Sequence, residues 1–275
     1  MANAPKPTIV KQESSSASNL FATLVIPICI VIGILIFKFV LGDPTNFIDN
    51  NAENLPKVGN YAGMAYKGGF IVPILMGMLL MVVVFSVERF IVIGKATGTS
   101  SLDAFVKKVQ ALLNSNNIEA AMAECDKQKG SVANVIKSGL KKYREMEVEA
   151  NMDTDQKCLA IQKDIEEATT LEMPMLEQNL TVVATLVSVG TLMGLLGTVT
   201  GMIKAFGGLG ASGAPDSAAL ATGISEALIN TATGIGTSTL AIIMYNILTS
   251  KIDKLTYAID EAGFSIIQTY ASTHK

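Results

Sequence analysis

Tryptophan is missing from this chain, and histidine occurs once and cysteine three times in 275 residues. The lone His274 has no cluster of ligand-type neighbours, so a histidine metal centre has no starting point. Cys29, Cys125 and Cys158 are odd in number, scattered and free of CxxC spacing. They read as reduced, small apolar side chains, not as a disulfide frame or metal site. Charge is scarce too: Asp, Glu, Lys and Arg make up 16% of the chain, the net charge is −3, and no run of Lys or Arg exceeds two residues. No nucleic-acid partner is expected from so weak and mixed a charge. No nucleophile and base pair or phosphate loop is visible; Gly207-Gly208-Leu209-Gly210 lacks a following Lys and a preceding strand. Catalysis and a bound cofactor are therefore not expected. Nor is an internal repeat visible, as a transporter built from repeated halves would show.

What the chain has is apolar length. Hydrophobic residues make up 49% of it, and the expected class is an all-α integral membrane protein in a lipid bilayer. Residues 1–19, with Pro, Ser and Lys and no apolar periodicity, predict a flexible tail. Residues 20–41 form an apolar run too long for a signal peptide's core and lack a small-residue cleavage motif, so a retained span is expected. A loop rich in Gly, Pro and Asn follows at 42–69, then a second span at 70–94 with Glu88 and Arg89 near its end, where long side chains can snorkel. Over 95–178 charge becomes frequent and amphipathic patterns appear at 101–114, 117–128, 132–149 and 155–173, which predicts a water-facing helical domain. Asn116 or Asn117 is expected to cap the second of these helices, Gly130 to end it and Asp153 to cap the last. That last helix should run towards a third span at 179–206, kinked or broken by Pro174. A Gly-rich loop, Gly207 to Ser217, leads to a fourth span at 220–249. Residues 250–275 should continue as an amphipathic helix with Ile252, Leu255, Ile259, Ala262, Ile266 and Tyr270 on one side.

Orientation follows from cations near span ends. Arg89, Lys95, Lys251 and Lys254 flank the helical domain and C-terminal segment, the 207–217 loop has none, and 42–69 has only Lys57 and Lys67. Both termini and the helical domain are expected to be cytoplasmic.

The last two spans carry polar residues where few are tolerated. Gly190, Gly194, Gly197 and Gly201 recur at steps of 4, 3 and 4, a small-residue strip that lets helix backbones approach. Thr181, Ser188, Thr191 and Thr198 recur at 7, 3 and 7 on a neighbouring face. On the fourth span Glu226, Asn230, Thr233 and Thr237 form one row, and Ala227, Thr231, Gly234 and Ser238 the adjacent row. Hydroxyls in membrane helices commonly bond their own i−4 carbonyls. Two successive spans with such rows, plus an acid and an amide, point instead to a wet inter-helix path. Its candidate residues are Ser188, Thr191, Thr198, Glu226, Asn230, Thr231, Thr233 and Ser238, with Gly190, Gly194, Gly197, Gly201 and Gly234 packing the helices. No titratable group falls at mid-membrane, because Lys38, Glu88, Arg89, Lys204 and Glu226 all lie within a turn or two of a span end. Hydroxyls can pass an ion but hold no proton at neutral pH, so a carboxylate is expected from another polypeptide. Glu226 is either part of the path or a structural acid paired with Lys204 or a neighbouring subunit.

Leu195-Leu196-Gly197-Thr198-Val199 with Gly201, then Gly223-Ile224-Ser225-Glu226-Ala227-Leu228-Ile229-Asn230-Thr231-Ala232-Thr233-Gly234 and Tyr245-Asn246, resemble the signature of the MotA/TolQ/ExbB proton-channel family. The likeness is strongest to the ExbB and TolQ branch, specific over about 170–250 and looser over 70–169. It implies a homopentamer around a dimer of a single-span, ExbD- or TolR-like partner that supplies a membrane Asp. It also implies a bacterial inner-membrane, ion-driven motor that, with a TonB-like protein, energises TonB-dependent transport across the outer membrane. A TolQ-like envelope role, a gliding motor or a non-conducting scaffold are the alternatives. The pore threonines of the family carry over to Thr198 and Thr231, and its membrane acid to Glu226. H+ is the implied ion, with Na+ the alternative favoured by the extra hydroxyls of Thr200, Thr233, Thr237 and Thr239. Three departures stand out: the 20–41 span is additional to three family spans, Thr200 stands where Trp is frequent, and Leu240 where Pro is frequent.

Overall fold

The computed structural model describes the backbone of residues 14–211 and 217–274 and the side chains of 21–207 and 220–274. Of the tail expected at 1–19, residues 1–13 lie outside the described residues. Among the described residues the chain is helical, with one isolated bridge, Phe47 to Pro56, and no longer strand. Four helices are long and apolar enough to cross a membrane.

Helix α1, Ser14–Ile36, contains Pro27 and ends in a wide turn, Phe37–Leu41. It lies along the outside of α3, Ile71–Thr97. Phe21 meets Phe85 edge-on at 6.0 Å, and the two backbones cross closely at Gly33 and Gly77, so the helices run antiparallel. Most of the remaining α1 surface is apolar and exposed, including Leu24, Ile28, Val31 and Leu35. Residues 42–69, expected as a loop, are a folded cap. Short turns lead to α2, Tyr61–Tyr66, whose first N–H groups are capped by Asn60 (Gly63 N to Oδ1, 2.9 Å). Buried Phe47 and the stack of Tyr66 on Phe37, 4.7 Å between centroids, organise this segment. These are contacts that polar turn residues alone do not announce.

Beyond α3 lie α4, Leu102–Asn114, α5, Ile118–Gln128, α6, Gly130–Val148, and α7, Thr154–Glu177. Asn117 caps α5 through Ala120 N, and Asp153 caps α7 in a reciprocal box with Gln156. Gly130 does not end α5; it opens α6, and Lys129 makes the turn. The reason is a close crossing: at φ +83 Gly130 sits against the Lys95 and Ala96 carbonyls at the end of α3, where a side chain has no room. Buried Gln128 ties the same junction by donating to the Thr97 and Ser100 carbonyls at 2.8 and 2.9 Å. Cys125 is buried in this core, where desolvation pushes its thiol up to about 12, so it behaves as a small hydrophobe.

Two expectations near Pro174 change. Helix α7 passes through Pro174 to Glu177, and the break falls later, at Gln178 and Asn179, the latter at φ +61. Arg89, expected to snorkel outwards, is instead buried and donates to the Met175 and Leu176 carbonyls at 3.0 and 3.4 Å while pairing with Glu88. The last carbonyls of a helix lack intrahelical partners and carry its negative dipole end, and Arg89 supplies both the donors and the charge.

Helix α8, Leu180–Ala211, and α9, Ser217–Thr273, complete the chain. The Gly-rich loop expected from Gly207 is helical as far as Ala211; residues 212–216 lie outside the described residues. The fourth span and the C-terminal amphipathic segment are a single helix of 57 residues, about 85 Å long at the usual rise. Its distal half buries Ile252, Leu255, Ile259, Ala262, Ile266 and Tyr270 against α4, α6 and α7. Tyr270 closes that end by donating to the Met146 carbonyl at 2.8 Å.

Candidate functional site in the seam between α8 and α9

Small residues on both helices bring α8 and α9 into backbone contact. A Cβ on Gly234 would lie 2.7 Å from the Gly194 Cα, and one on Gly201 would lie 2.9 Å from the Ala227 nitrogen. Gly190 packs beside Gly234 and Ser238, and Gly197 leaves the space that the Asn230 side chain fills. All five glycines of the expected packing strip thus lie in one seam.

The polar residues form successive levels along this seam. At the level nearest the 212–216 connection, Lys204 Nζ donates to Glu226 Oε1 at 2.7 Å; Glu226 is buried and Lys204 half-exposed. The next level is Asn230, fully buried, whose Nδ2 donates to the Gly68 carbonyl at 2.9 Å while Oδ1 has no protein partner. Thr198 and Thr231 follow with their hydroxyls hydrogen-bonded across the seam. Beyond the Gly194 and Gly234 contact, Thr191 donates to Ser238 at 2.9 Å. Glu226 and Ser238 are twelve residue steps apart on one helix, about 18 Å along the axis.

The remaining members of the polar rows lie outside these cross-helix pairs, Thr237 among them although buried. Thr233 and Thr237 bond the carbonyls four residues back, at 2.8 and 2.9 Å, and Thr198, Thr231 and Thr191 do so in addition to their cross-helix bonds. Ser188 is exposed on the outward face of α8. Within one subunit Glu226, Asn230, Thr231 and Ser238 of α9 are folded into the seam, whereas Ser188 and Thr191 are exposed on α8.

The sequence placed the end of a loop at residue 69 but not the contact made there. Gly69 adopts φ +79, and the Glu226 carboxylate occupies the place where a side chain on residue 69 would stand. The adjacent Gly68-Gly69 pair was its only local mark. Together, Gly68, Gly69, Lys204, Glu226 and Asn230 bind three segments at one end of the seam. Between Glu226 and the Thr191 level, the described residues of the seam offer hydroxyls and the Asn230 amide but no titratable group.

Four apolar spans and a glycine-tight helical hairpin with a hydroxyl-lined seam define a polytopic membrane protein whose polar groups are held between helices, as membrane energetics demand. The chain belongs to the MotA/TolQ/ExbB proton channel family, whose sequence model matches residues 127–261. Among similar proteins, the Tol-Pal system protein TolQ of Pseudomonas aeruginosa is 27% identical over 155 residues, 56% of this chain and 67% of that protein. The putative biopolymer transport protein ExbB-like 3 of Synechocystis is 34% identical over 88 residues, 31% of this chain and 42% of that protein. The biopolymer transport protein ExbB of Helicobacter pylori is 39% identical over 80 residues, 29% of this chain and 55% of its own length. The likeness to the two ExbB-type relatives thus spans about half of their lengths or less.

Proposed function

We propose that this chain is the multi-span subunit of an ion-driven motor in a bacterial inner membrane. In this reading it acts in the manner of ExbB, with an ExbD-like single-span partner, to energise TonB-dependent transport across the outer membrane. The observation that carries the proposal is the Thr198 and Thr231 hydroxyl pair, which bridges α8 and α9 at a level without any titratable side chain. Such a seam can relay or coordinate an ion but holds no proton of its own, so the partner's Asp completes it. Five copies around a partner dimer, both termini and residues 95–178 in the cytoplasm, and residues 42–69 in the periplasm belong to the same proposal. H+ is the proposed ion; Na+, favoured by the several hydroxyls, is the alternative. A TolQ-like envelope role is the second reading, supported by the 155-residue match to TolQ.

The test is co-expression with a single-span partner, purification of the complex and ion uptake in liposomes under proton or sodium gradients. Thr198→Val and Thr231→Val keep the shape and remove the hydroxyl, and each is expected to cut uptake at least about tenfold, ~1.4 kcal/mol in barrier. Glu226→Ala is expected to reduce uptake as well, by freeing Lys204 and the turn at Gly69. Full uptake by all three variants would favour a non-conducting scaffold and sink the motor reading.

A further inference from the structure

His274, the single histidine of the chain, follows the last residue of α9 and is docked where α6 and α7 meet the distal end of that helix. Four contacts hold this junction together. The imidazole stacks on the Tyr270 ring at 4.3 Å between centroids, and Tyr270 in turn donates to the Met146 carbonyl of α6. The Tyr143 hydroxyl meets that of Thr273 at 3.2 Å. Thr154, the first residue of α7, donates to the His274 carbonyl at 2.7 Å. On the outer side, Nε2 faces the Glu147 carboxylate of α6 at 4.0 Å.

The neighbours of the two ring nitrogens select a protonation state. Nδ1 lies 3.2 Å from the Tyr270 carbonyl and 3.0 Å from the Thr273 hydroxyl, whose own proton goes to the Thr269 carbonyl at 2.7 Å. Both neighbours are acceptors, so a neutral ring carries its proton on Nδ1. That leaves Nε2 as a bare lone pair opposite a carboxylate. A proton added at Nε2 turns this one mismatched contact into an ion pair and puts a cation at the negative end of α9.

The surrounding groups leave that pair to itself. Burial pushes the Tyr143 and Tyr270 phenols and the Cys158 thiol up, so they stay neutral where imidazole changes charge, between about pH 5 and 8. On α6, Arg144 pairs with Glu119, Lys142 pairs with Glu145, and Glu149 accepts from the Asn151 N–H. Glu147 has no other ion-pair partner among the described residues. On α7, Asp153 and Asp155 flank Thr154 and add negative charge; α9 has no charged residue between Glu261 and His274, and Lys275 follows in sequence.

We propose that His274 and Glu147 form a pH-responsive clasp that fastens the distal end of α9 to α6 and α7. The two attract while both are charged. The clasp is therefore closed below the imidazole range, is lost as pH rises through it, and is lost again where Glu147 itself takes a proton. Because α9 is one helix from the seam to its distal end, a firmer anchor there restrains the helix that carries Thr231 and Ser238. This link to transport rests on the reading of the seam as an ion path and of the helical domain as cytoplasmic, whereas the clasp itself does not. In that reading, acidification of the compartment facing the helical domain restrains α9.

The test reads hydrogen exchange over residues 266–273 in the purified full chain, at about pH 6 and about pH 8 after correction for intrinsic exchange. The wild-type segment is expected to open about two- to fivefold more often at the higher pH. His274→Gln should abolish this ratio, and so should Glu147→Gln. His274→Arg, a permanent cation, should hold the low-pH protection at both values, and Lys275→Gln should leave the wild-type ratio in place. A wild-type ratio near one, a ratio that survives in either His274→Gln or Glu147→Gln, or its loss in Lys275→Gln overturns the clasp. The link to the seam is read separately in liposomes, as potential-driven uptake with equal pH on both sides. The rates at the two pH values should stand in a ratio that differs at least about twofold between the wild type and His274→Arg. An unchanged uptake ratio beside altered exchange overturns that link. A wild-type complex that takes up no ions sinks the motor reading instead, so the failures are separable.

Discussion

At Arg89 a full charge is 2% exposed, and the structure shows what makes that tolerable. The guanidinium meets the Glu88 carboxylate and the Met175 and Leu176 carbonyls together, so both its charge and its donors are matched. Arg89→Ala leaves Glu88 and two carbonyls at the end of α7 without these partners. It is expected to destabilise the folded protein by about 3–5 kcal/mol, seen as a lower Tm in detergent. Arg89→Lys, with one ammonium in place of a fork, should recover only part of this. An unchanged Tm in the Ala variant would remove Arg89 from the support of the α7 and α8 break. Sequence placed Arg89 at the end of a span but pointed its side chain in the wrong direction. The carbonyls it serves are 86 and 87 residues away, and no local pattern encodes such a partner.

Helices α8 and α9 show how much element packing depends on residues without side chains. Gly234 and Gly236 lie two positions apart on one helix, yet only Gly234 touches α8, whereas nothing stands within 4 Å of a Cβ on Gly236. Gly234→Leu is expected to force the hairpin apart, at a cost of about 1–3 kcal/mol, and to abolish ion uptake by separating Thr198 from Thr231. Gly236→Leu should keep the folded state and most of the uptake. Equal losses in the two would place the Gly234 effect outside the seam. The glycine spacing and the buried stripe from Ile252 to Tyr270 were legible in the sequence, because a helix repeats every 3.6 residues and its packing face follows from spacing alone. The caps at Asn117 and Asp153 were legible for the same reason, being local hydrogen-bond chemistry. Gly130 was misplaced because the usual meaning of glycine after a helix, a stop, gave way to a close approach between two distant turns.

Across the whole molecule, α1 and α3 run antiparallel, while α9 extends from its span along the bundle formed by α4 to α7. One continuous helix therefore joins the seam to the helical domain, so rotation or tilt of α9 is felt in both. The proposed orientation predicts opposite reactivities for two exposed positions, Val58 within the 42–69 cap and Gln268 on distal α9. An impermeant maleimide should label Val58→Cys but not Gln268→Cys in intact spheroplasts, and the reverse in inverted vesicles. Labelling of Gln268→Cys from outside would invert the assignment. By itself the sequence determined the helical membrane class, the four apolar runs, the glycine strip and the amphipathic tail, since each depends on composition or on a period within one helix. Only the tertiary structure decided that Glu226 meets Lys204 over Gly69, that Asn230 binds Gly68, and that Thr198 meets Thr231 and Thr191 meets Ser238 across the seam. Those pairings join segments far apart in sequence, and such partners are fixed by how the helices pack, not by spacing along any one of them.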